Sequence, residues 1–281
     1  MSDALKNKID FIAIAYVEGA NPNGDPLNAN RPRTTIDGLG EISDVCIKRK
    51  LRNRLQDEGQ RIFVQSDDRA DDGKKSLRER ADPILKECKD RDRAISVVCA
   101  EWFDVRAFGQ VFAFKGKSDK SGDGVSIGIR GPVSIRPAMS VMPVDIISTQ
   151  ITKSVNSETT KDKKSSDTMG TKYRVENAMY LIRGSINPQL ASKTGFSEED
   201  ANIFKNALRT LFVNDASSAR PDGSMDLVKL VWYKHNCAIG QYSSAIVHNA
   251  VKVKPKVENP RGIDDYEIMI DDLEGLSPEI Y

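Results

Sequence analysis

Apolar residues run almost without interruption from Ile9 to Val17, IDFIAIAYV, and stop at Glu18-Gly19. A short run rich in β-branched and aromatic residues predicts a central strand covered on both faces. The pattern then changes to ANPNGDPLNANRPR, whose Asn-Pro, Asn-Gly and Asp-Pro pairs are turn dipeptides, so residues 21–33 are expected to form a long loop leaving that strand. Behind Ser43 or Asp44 as a cap, Ile47, Leu51 and Leu55 recur every four residues, which predicts an amphipathic helix. From Gln60 to Arg93 charge dominates and apolar periodicity is thin, so residues 60–95 read as a peripheral, mostly helical insertion outside the core.

Core chemistry returns in EWFDVRAFGQVFAF, read as a short helix or turn about Asp104 to Gly109 followed by a strand. GDGVSIGIRG and SIRPAMSVMPVDIISTQIT predict further β-structure, interrupted by Pro137 and Pro143. Over residues 145–182, DIISTQITKSV reads as one strand and KYRVENAMYLIRGSI as its return, separated by the polar, Lys-rich NSETTKDKKSSDTMGT. Hairpin loops ordinarily have about two to five residues, so this one predicts an arm reaching outwards. Ser197-Glu198-Glu199-Asp200 opens a helix expected to run to about Phe212, with Ile203, Phe204, Ala207, Leu208 and Leu211 on one face. LVKLVWYKHN is a further strand. The order predicts an α+β fold, a sheet with helices on one face, as in ferredoxin-like and RNA-recognition folds.

Composition narrows the class. The chain has 281 residues, 39% of them hydrophobic, enough for one large domain with a sizeable core and no need of disulfides. No apolar run approaches the about 20 residues of a membrane-spanning helix. The start, MSDALKNKIDF, has no secretory pattern, so a cytoplasmic location is expected. Cys46, Cys88, Cys99 and Cys237 are far apart and are expected as reduced, buried thiols. The 42 basic residues nearly balance the 41 acidic ones, but seven acids and no Lys or Arg lie between Gly262 and Tyr281. A basic body with an acidic tail over 262–281 points to a polyanion partner. Six basic and two acidic residues between Lys48 and Arg61 suit phosphate.

Catalytic machinery is hard to assemble from this chain. His235 and His248 have no Asp or Glu between them and no zinc-ligand spacing, and each reads as a structural side chain. A phosphate loop, a dinucleotide fingerprint after a strand and a Gly-x-Ser-x-Gly elbow are all missing. No cofactor is expected. Asp25, Asp37 and Asp104 could bind Mg²⁺, and the alternative is a metal-dependent endoribonuclease using Asp25 or Asp37. The aromatic consensus of classical RNA-recognition modules is absent, so Lys and Arg holding the backbone is the better expectation.

Several stretches together resemble the backbone subunits of the CRISPR Cascade surveillance complex, in its type I-C branch, within the RAMP superfamily of RNA-binding proteins. They are ANPNGDPLNANRPR, SDVCIKRKLRN, FDVRAFGQVFAF, SIGIRGPVSI, PVDIISTQITKSVNS, GSINPQLASKTGFSEEDA, NDASSARPDGSMDLVKLVWYKHN and IGQYSSAIVH. The resemblance implies a modified RNA-recognition palm, a finger insertion at 60–95 and a β-hairpin thumb at 145–182. It implies a non-catalytic protein whose copies stack head to tail along CRISPR RNA and expose guide segments to target DNA. Other Cascade subunits (the RNA-processing, large and small ones) would be further partners, with no membrane involved. The RNA-binding candidates are Asn21 and Asn23 in the loop; Lys48, Arg49, Lys50 and Arg52 on the helix; and Gln110, Arg130 and Arg136 on the strands. On the arm they are Thr149, Gln150, Lys153, Asn156, Met169, Lys172 and Arg174. Gly131 is expected to let backbone approach a ligand closely.

Overall fold

The computed structural model describes residues 3–88, 90–113, 126–152 and 169–281. The apolar run becomes β1 (Ile9–Ala20), and the loop after it carries two short paired strands, β2 (Gly24–Asp25) and β3 (Arg31–Pro32). β4 (Leu39–Ile42) leads into α1 (Asp44–Asp57), whose cap is Ser43: its side chain accepts from Cys46 N–H. The insertion holds α2 (Leu77–Glu87) and α3 (Arg91–Glu101), followed by α4 (Phe103–Phe108) and the ribbon of β5 (Gly109–Ala113) with β6 (Ser126–Arg130). Then come β7 (Val133–Ile135), β8 (Ala138–Pro143), β9 (Ile146–Thr152) and the long β10 (Met169–Ile186). α5 (Pro188–Thr194), α6 (Glu198–Arg209), β11 (Met225–Lys234), α7 (Ser244–Ala250), β12 (Val251–Pro255), β13 (Tyr266–Ile270) and β14 (Glu279–Ile280) complete the order.

The main sheet runs β14-β11-β1-β10-β8-β4, with β7 and β9 also on β10. β1 is antiparallel to β10 and β11 and lies between them, which is why its residues are apolar on both faces. One face packs Phe11, Ala13, Ala15 and Val17 against Leu51 and Leu55 of α1 and Phe204 and Leu208 of α6. The helix-only face expected from sequence is one side of two: Ile12, Ile14 and Tyr16 are covered by Val247 of α7 and by β12 and β13. α6 opens with Ser197 and Asp200 bonding each other's backbone, a reciprocal cap that explains its sharp start, and it ends at Arg209, three residues short of the predicted Phe212.

Two regions set apart by their charge are packed. The insertion has a core of its own, in which Phe63 meets Trp102 at 4.7 Å and Phe112 at 5.1 Å between ring centroids, with Val98 and Ile129 beside them. The buried Arg80 guanidinium donates to Phe63 O at 2.7 Å and holds Asp72, whose carboxyl is pulled down to about 2 by that contact. The acidic tail is not a free arm. β13 pairs with β12, Leu276 is buried, and Tyr281 exchanges two backbone hydrogen bonds with Leu230 at the sheet edge. Glu279 takes Lys205 at 2.7 Å, and Arg209 lies 4.3 Å over the Tyr281 ring. The cysteines are free, but Cys99 alone is buried; Cys46 and Cys88 are half-buried and Cys237 is exposed.

Candidate nucleic-acid interface

The C-terminal end of β1 gathers three elements. The loop of residues 21–33 is tied down from within: Asn21 Nδ2 donates to Asn30 O at 2.7 Å, and Asn23 Oδ1 accepts from both Ser43 N–H and Ser43 Oγ, at 2.9 and 2.8 Å. Asn21 is 3% exposed. Both asparagines thus shape the loop and fix it to the start of α1. The loop of residues 213–224 joins them through Asn21 N–H and Ala219 O. The hairpin is the third element: β9 pairs with β10 from Thr152 opposite Met169 to Ile146 opposite Val175. Beyond Val175 the same strand enters the central sheet against β1, so the hairpin ladder is shorter than the 145–182 read from sequence.

On the hairpin, Lys172 and Arg174 share a face by strand alternation, opposite Thr149 and Ile147. Thr149 and Gln150 are exposed, and Gln150 Nε2 lies 3.0 Å from the sulfur of the exposed Met169. Lys153 and Asn156 lie outside the described residues, as does residue 153–168 of the arm as a whole. At the hairpin base Arg31 lies 5.3 Å over the Tyr173 ring, which joins the loop to the arm. Arg33, Arg220 and Lys50 converge near the Cys46 thiol, which burial nevertheless pushes up. Sequence reading missed Arg31, Arg33, Tyr173 and Arg220 as candidates, although NANRPR and ARPDG were visible as basic turns.

The basic helix is a different matter. Lys48 pairs with Asp44 at 3.0 Å, and Arg49 Nη1 donates to Val64 O at 2.7 Å. Arg52 Nε pairs at 2.8 Å with the buried Asp104, whose carboxylate also accepts from Phe63 and Val64 N–H. Lys50 is 3% exposed and ion-paired with Asp215, which Arg220 also holds at 3.1 Å. Burial pushes the Lys50 ammonium down, outweighing the pull of Asp215. Each of the four cations predicted to meet phosphate therefore has a partner within the chain.

The strand candidates are dispersed. Gln110 Nε2 folds onto Val111 O at 3.1 Å. Arg130 is exposed on the rim of a cleft of ≈ 1070 Å³ between α3, β6, α5 and α6. Arg136 is exposed beyond β7. The space beside Gly131 is filled by the chain, since a Cβ there would strike Ala107 O and Gly109 N; its lack of a side chain serves packing and not a ligand. Asp25 caps the turn at Leu27 N–H and lies 3.4 Å from Arg33, while Asp37 is exposed in the next turn. Among the described residues no three His, Cys, Asp or Glu gather as a metal site. His235 and His248 do meet in the fold: His235 Nε2 lies 2.9 Å from the buried Asp10, and His248 Nε2 donates to Gly184 O at 3.0 Å, 3.7 Å from the same carboxylate. Lys8 completes that cluster at 3.1 Å, and Gln241 N–H occupies His235 Nδ1.

The architecture is thus an antiparallel sheet with cations on the loops at one end of β1 and a hairpin continuing β10 there. The family model of CRISPR-associated protein Cas7 matches residues 7–271, and the chain belongs to that family. A CRISPR-associated protein Cas7 of Haloferax volcanii is 32% identical over 156 residues, covering 50% of this chain and 44% of the relative; the match thus spans less than half of that protein's length. Among solved structures, a chain of a CRISPR RNA-guided surveillance complex in a pre-nicking state is similar at 12% identity and TM-score 0.47, over 80% of this chain and 78% of that one. A chain of another CRISPR RNA-guided surveillance complex is similar at 14% identity and TM-score 0.45, over 80% and 68%. Among the described residues no helix is long and apolar enough to cross a membrane.

Proposed function

We propose that this chain is a non-catalytic backbone subunit of a type I-C Cascade complex, acting in the cytoplasm, whose copies bind CRISPR RNA head to tail. In this reading β1, α1, β8, β10, α6 and β11 form the RNA-recognition-like palm, the α2–α3 unit the fingers and the β9–β10 hairpin the thumb. The observation that carries it is Arg31, stacked on Tyr173 at the end of β1, together with Lys172 and Arg174 on the adjoining hairpin, none of which has an acid partner among the described residues. Such a surface holds a sugar-phosphate backbone without reading bases, and pairing of the exposed guide with target DNA then supplies sequence specificity. Heterologous contacts between copies generate an open helical array, which an RNA of fixed length would terminate. The other Cascade subunits would complete the assembly.

The test is expression with a CRISPR transcript. The purified protein should carry RNA protected from nuclease in regular intervals, and the RNA should remain uncut in Mg²⁺. Deleting residues 157–170, most of which lie outside the described residues, should leave a folded monomer that no longer gives periodic protection. RNA-free protein, or an unchanged footprint after the deletion, would contradict the assignment.

A further inference from the structure

The register of β7 on β10 sets two arginines face to face. Gly184 lies opposite Ile135 and Ser185 opposite Ser134, and one step further the Arg136 N–H donates to Arg183 O at 2.9 Å. Val133 and Ile135 enter the helix-covered core, as do Ile182 and Ile186. Alternation therefore turns Ser134, Arg136, Arg183 and Ser185 to the opposite face of the sheet. There Ser134 and Arg136 are exposed, and Arg183 and Ser185 are half-buried.

Like charges directly opposite one another on paired strands are destabilising. Among the described residues neither guanidinium has an ion-pair partner. The charge acting on Arg183 is that of Arg136, burial holds the Arg183 guanidinium below its ordinary range, and its Nε is buried without a hydrogen-bond partner. The carboxylate on this face, Asp10 opposite Ser185 on β1, holds Lys8 and His235 through Oδ2; its Oδ1 has no hydrogen-bond partner, and it forms no ion pair with either arginine. His248 of α7 also faces the pair; burial, with Arg183 and Arg136 adding to it, outweighs the Gly184 bond and Asp10 and holds its imidazole below the ordinary range. Two cations, an unfilled buried donor and two flanking hydroxyls make a site built for an oxyanion with several acceptor atoms. A phosphodiester has two anionic oxygens, as a carboxylate has, but they are splayed tetrahedrally and flanked by two ester oxygens, so one group can reach both guanidinium groups and a hydroxyl, whereas a planar carboxylate matches a single fork.

We propose that Arg136 and Arg183 together bind one phosphate of a nucleic-acid backbone, with Ser134 and Ser185 beside it. This rests on the RNA-binding reading above and adds a position on the other face of the sheet and towards the other end of β1. Arg183 is opposite Ile12, eight residues from Ala20 at the hairpin base, or about 26 Å along the strand at about 3.3 Å per residue.

The test compares wild type with Arg136→Gln, Arg183→Gln and the double variant. The first probe is tripolyphosphate at constant ionic strength: it should raise the wild-type melting temperature, and the double variant should lose most of that rise. The anion-free double variant should melt no lower than wild type. The second probe is a fluorescent unstructured RNA, with a DNA of the same sequence to separate the two sources of phosphate. The double variant should flatten the slope of log affinity against log salt by about 0.7, one phosphate on a single strand, for RNA, for DNA or for both. Arg136→Gln alone, at an exposed position, should lower the tripolyphosphate effect even if the half-buried substitution fails to fold. Should wild type fail to bind RNA while the tripolyphosphate effect depends on the arginines, the anion site stands and the RNA reading falls. Unchanged slopes and an unchanged tripolyphosphate effect overturn the site. So does a loss of self-association without RNA and with unchanged slopes, which would assign the pair to a carboxylate of a neighbouring copy.

Discussion

Along α1, Lys48, Arg49, Arg52 and the buried Lys50 each end on an acceptor within the chain, whereas Lys172 and Arg174 on the hairpin have no acid partner among the described residues. Both regions are basic by composition. What separates them is where their partners lie: Asp44, in the helix's own first turn, takes Lys48, Asp104 takes Arg52, Asp215 takes Lys50, and Arg49 turns onto Val64 O, while Lys172 and Arg174 meet no acid among the described residues. A cation whose charge is neutralised inside the fold releases little counterion on binding nucleic acid, so charge density in a sequence measures potential contacts and the fold decides which are available. The helix uses its cations to lock α1 to the insertion and to the loop of residues 213–224.

That contrast can be broken at several points. The largest effect is expected at Asp104, 1% exposed, where Asp104→Ala removes the acceptor of two backbone N–H groups and the partner of Arg52. Urea unfolding should show a loss of about 3–5 kcal/mol, the scale for stripping one side of a buried charged network. A change below about 1 kcal/mol would mean that Arg52 is not structural. Lys50→Met should cost less, about 1–3 kcal/mol, because Asp215 keeps Arg220. It should leave the salt dependence of RNA binding unaltered. At the hairpin base, Tyr173→Ala removes the ring under Arg31 and should weaken RNA binding about two- to fivefold, equal to the about 0.5–1 kcal/mol of an exposed cation–π contact.

The smallest effect concerns pH. Burial holds the folded-state pKa of His248 below the ordinary 6.5, so the unfolded chain takes up the proton first as pH falls. Its contribution is fully present above pH 6.5 and is lost as pH drops through the folded value. The depressed carboxyl of Asp10 acts in a separate window, below 3.8. His248→Gln should flatten the stability profile between neutrality and the folded pKa, and an unchanged profile would show that the imidazole is free to ionise.

The elements legible in the sequence are those whose cause is local. β1, the Ser43 cap with Ile47, Leu51 and Leu55, and the reciprocal cap of Ser197 with Asp200 follow from periodicity and end signals within a few residues. What escaped depends on distant partners. Lys50 is buried because of an aspartate 165 residues away, and Asp10 meets His235 across 225 residues. Counting charges marked residues 262–281 as an acidic tail on a basic body but could not show that β12 and the edge of β11 receive it and that Leu276 anchors it. Asn21 and Asn23 were recognisable as important in a turn-rich loop, yet their bonds to Asn30 and Ser43 appear only once the loop closes on α1. The opposed Arg136 and Arg183 follow from strand register, which neither segment reveals alone.

The most direct measurement is the salt dependence of RNA binding in two double variants, Lys172→Ala with Arg174→Ala on the hairpin and Lys48→Gln with Arg49→Gln on α1. If the hairpin and not the helix holds the backbone, the hairpin variant loses about 1.4 from the slope, about 0.7 for each contact, and the helix variant matches wild type. A flattened slope in the helix variant with an unchanged one in the hairpin variant would contradict the account.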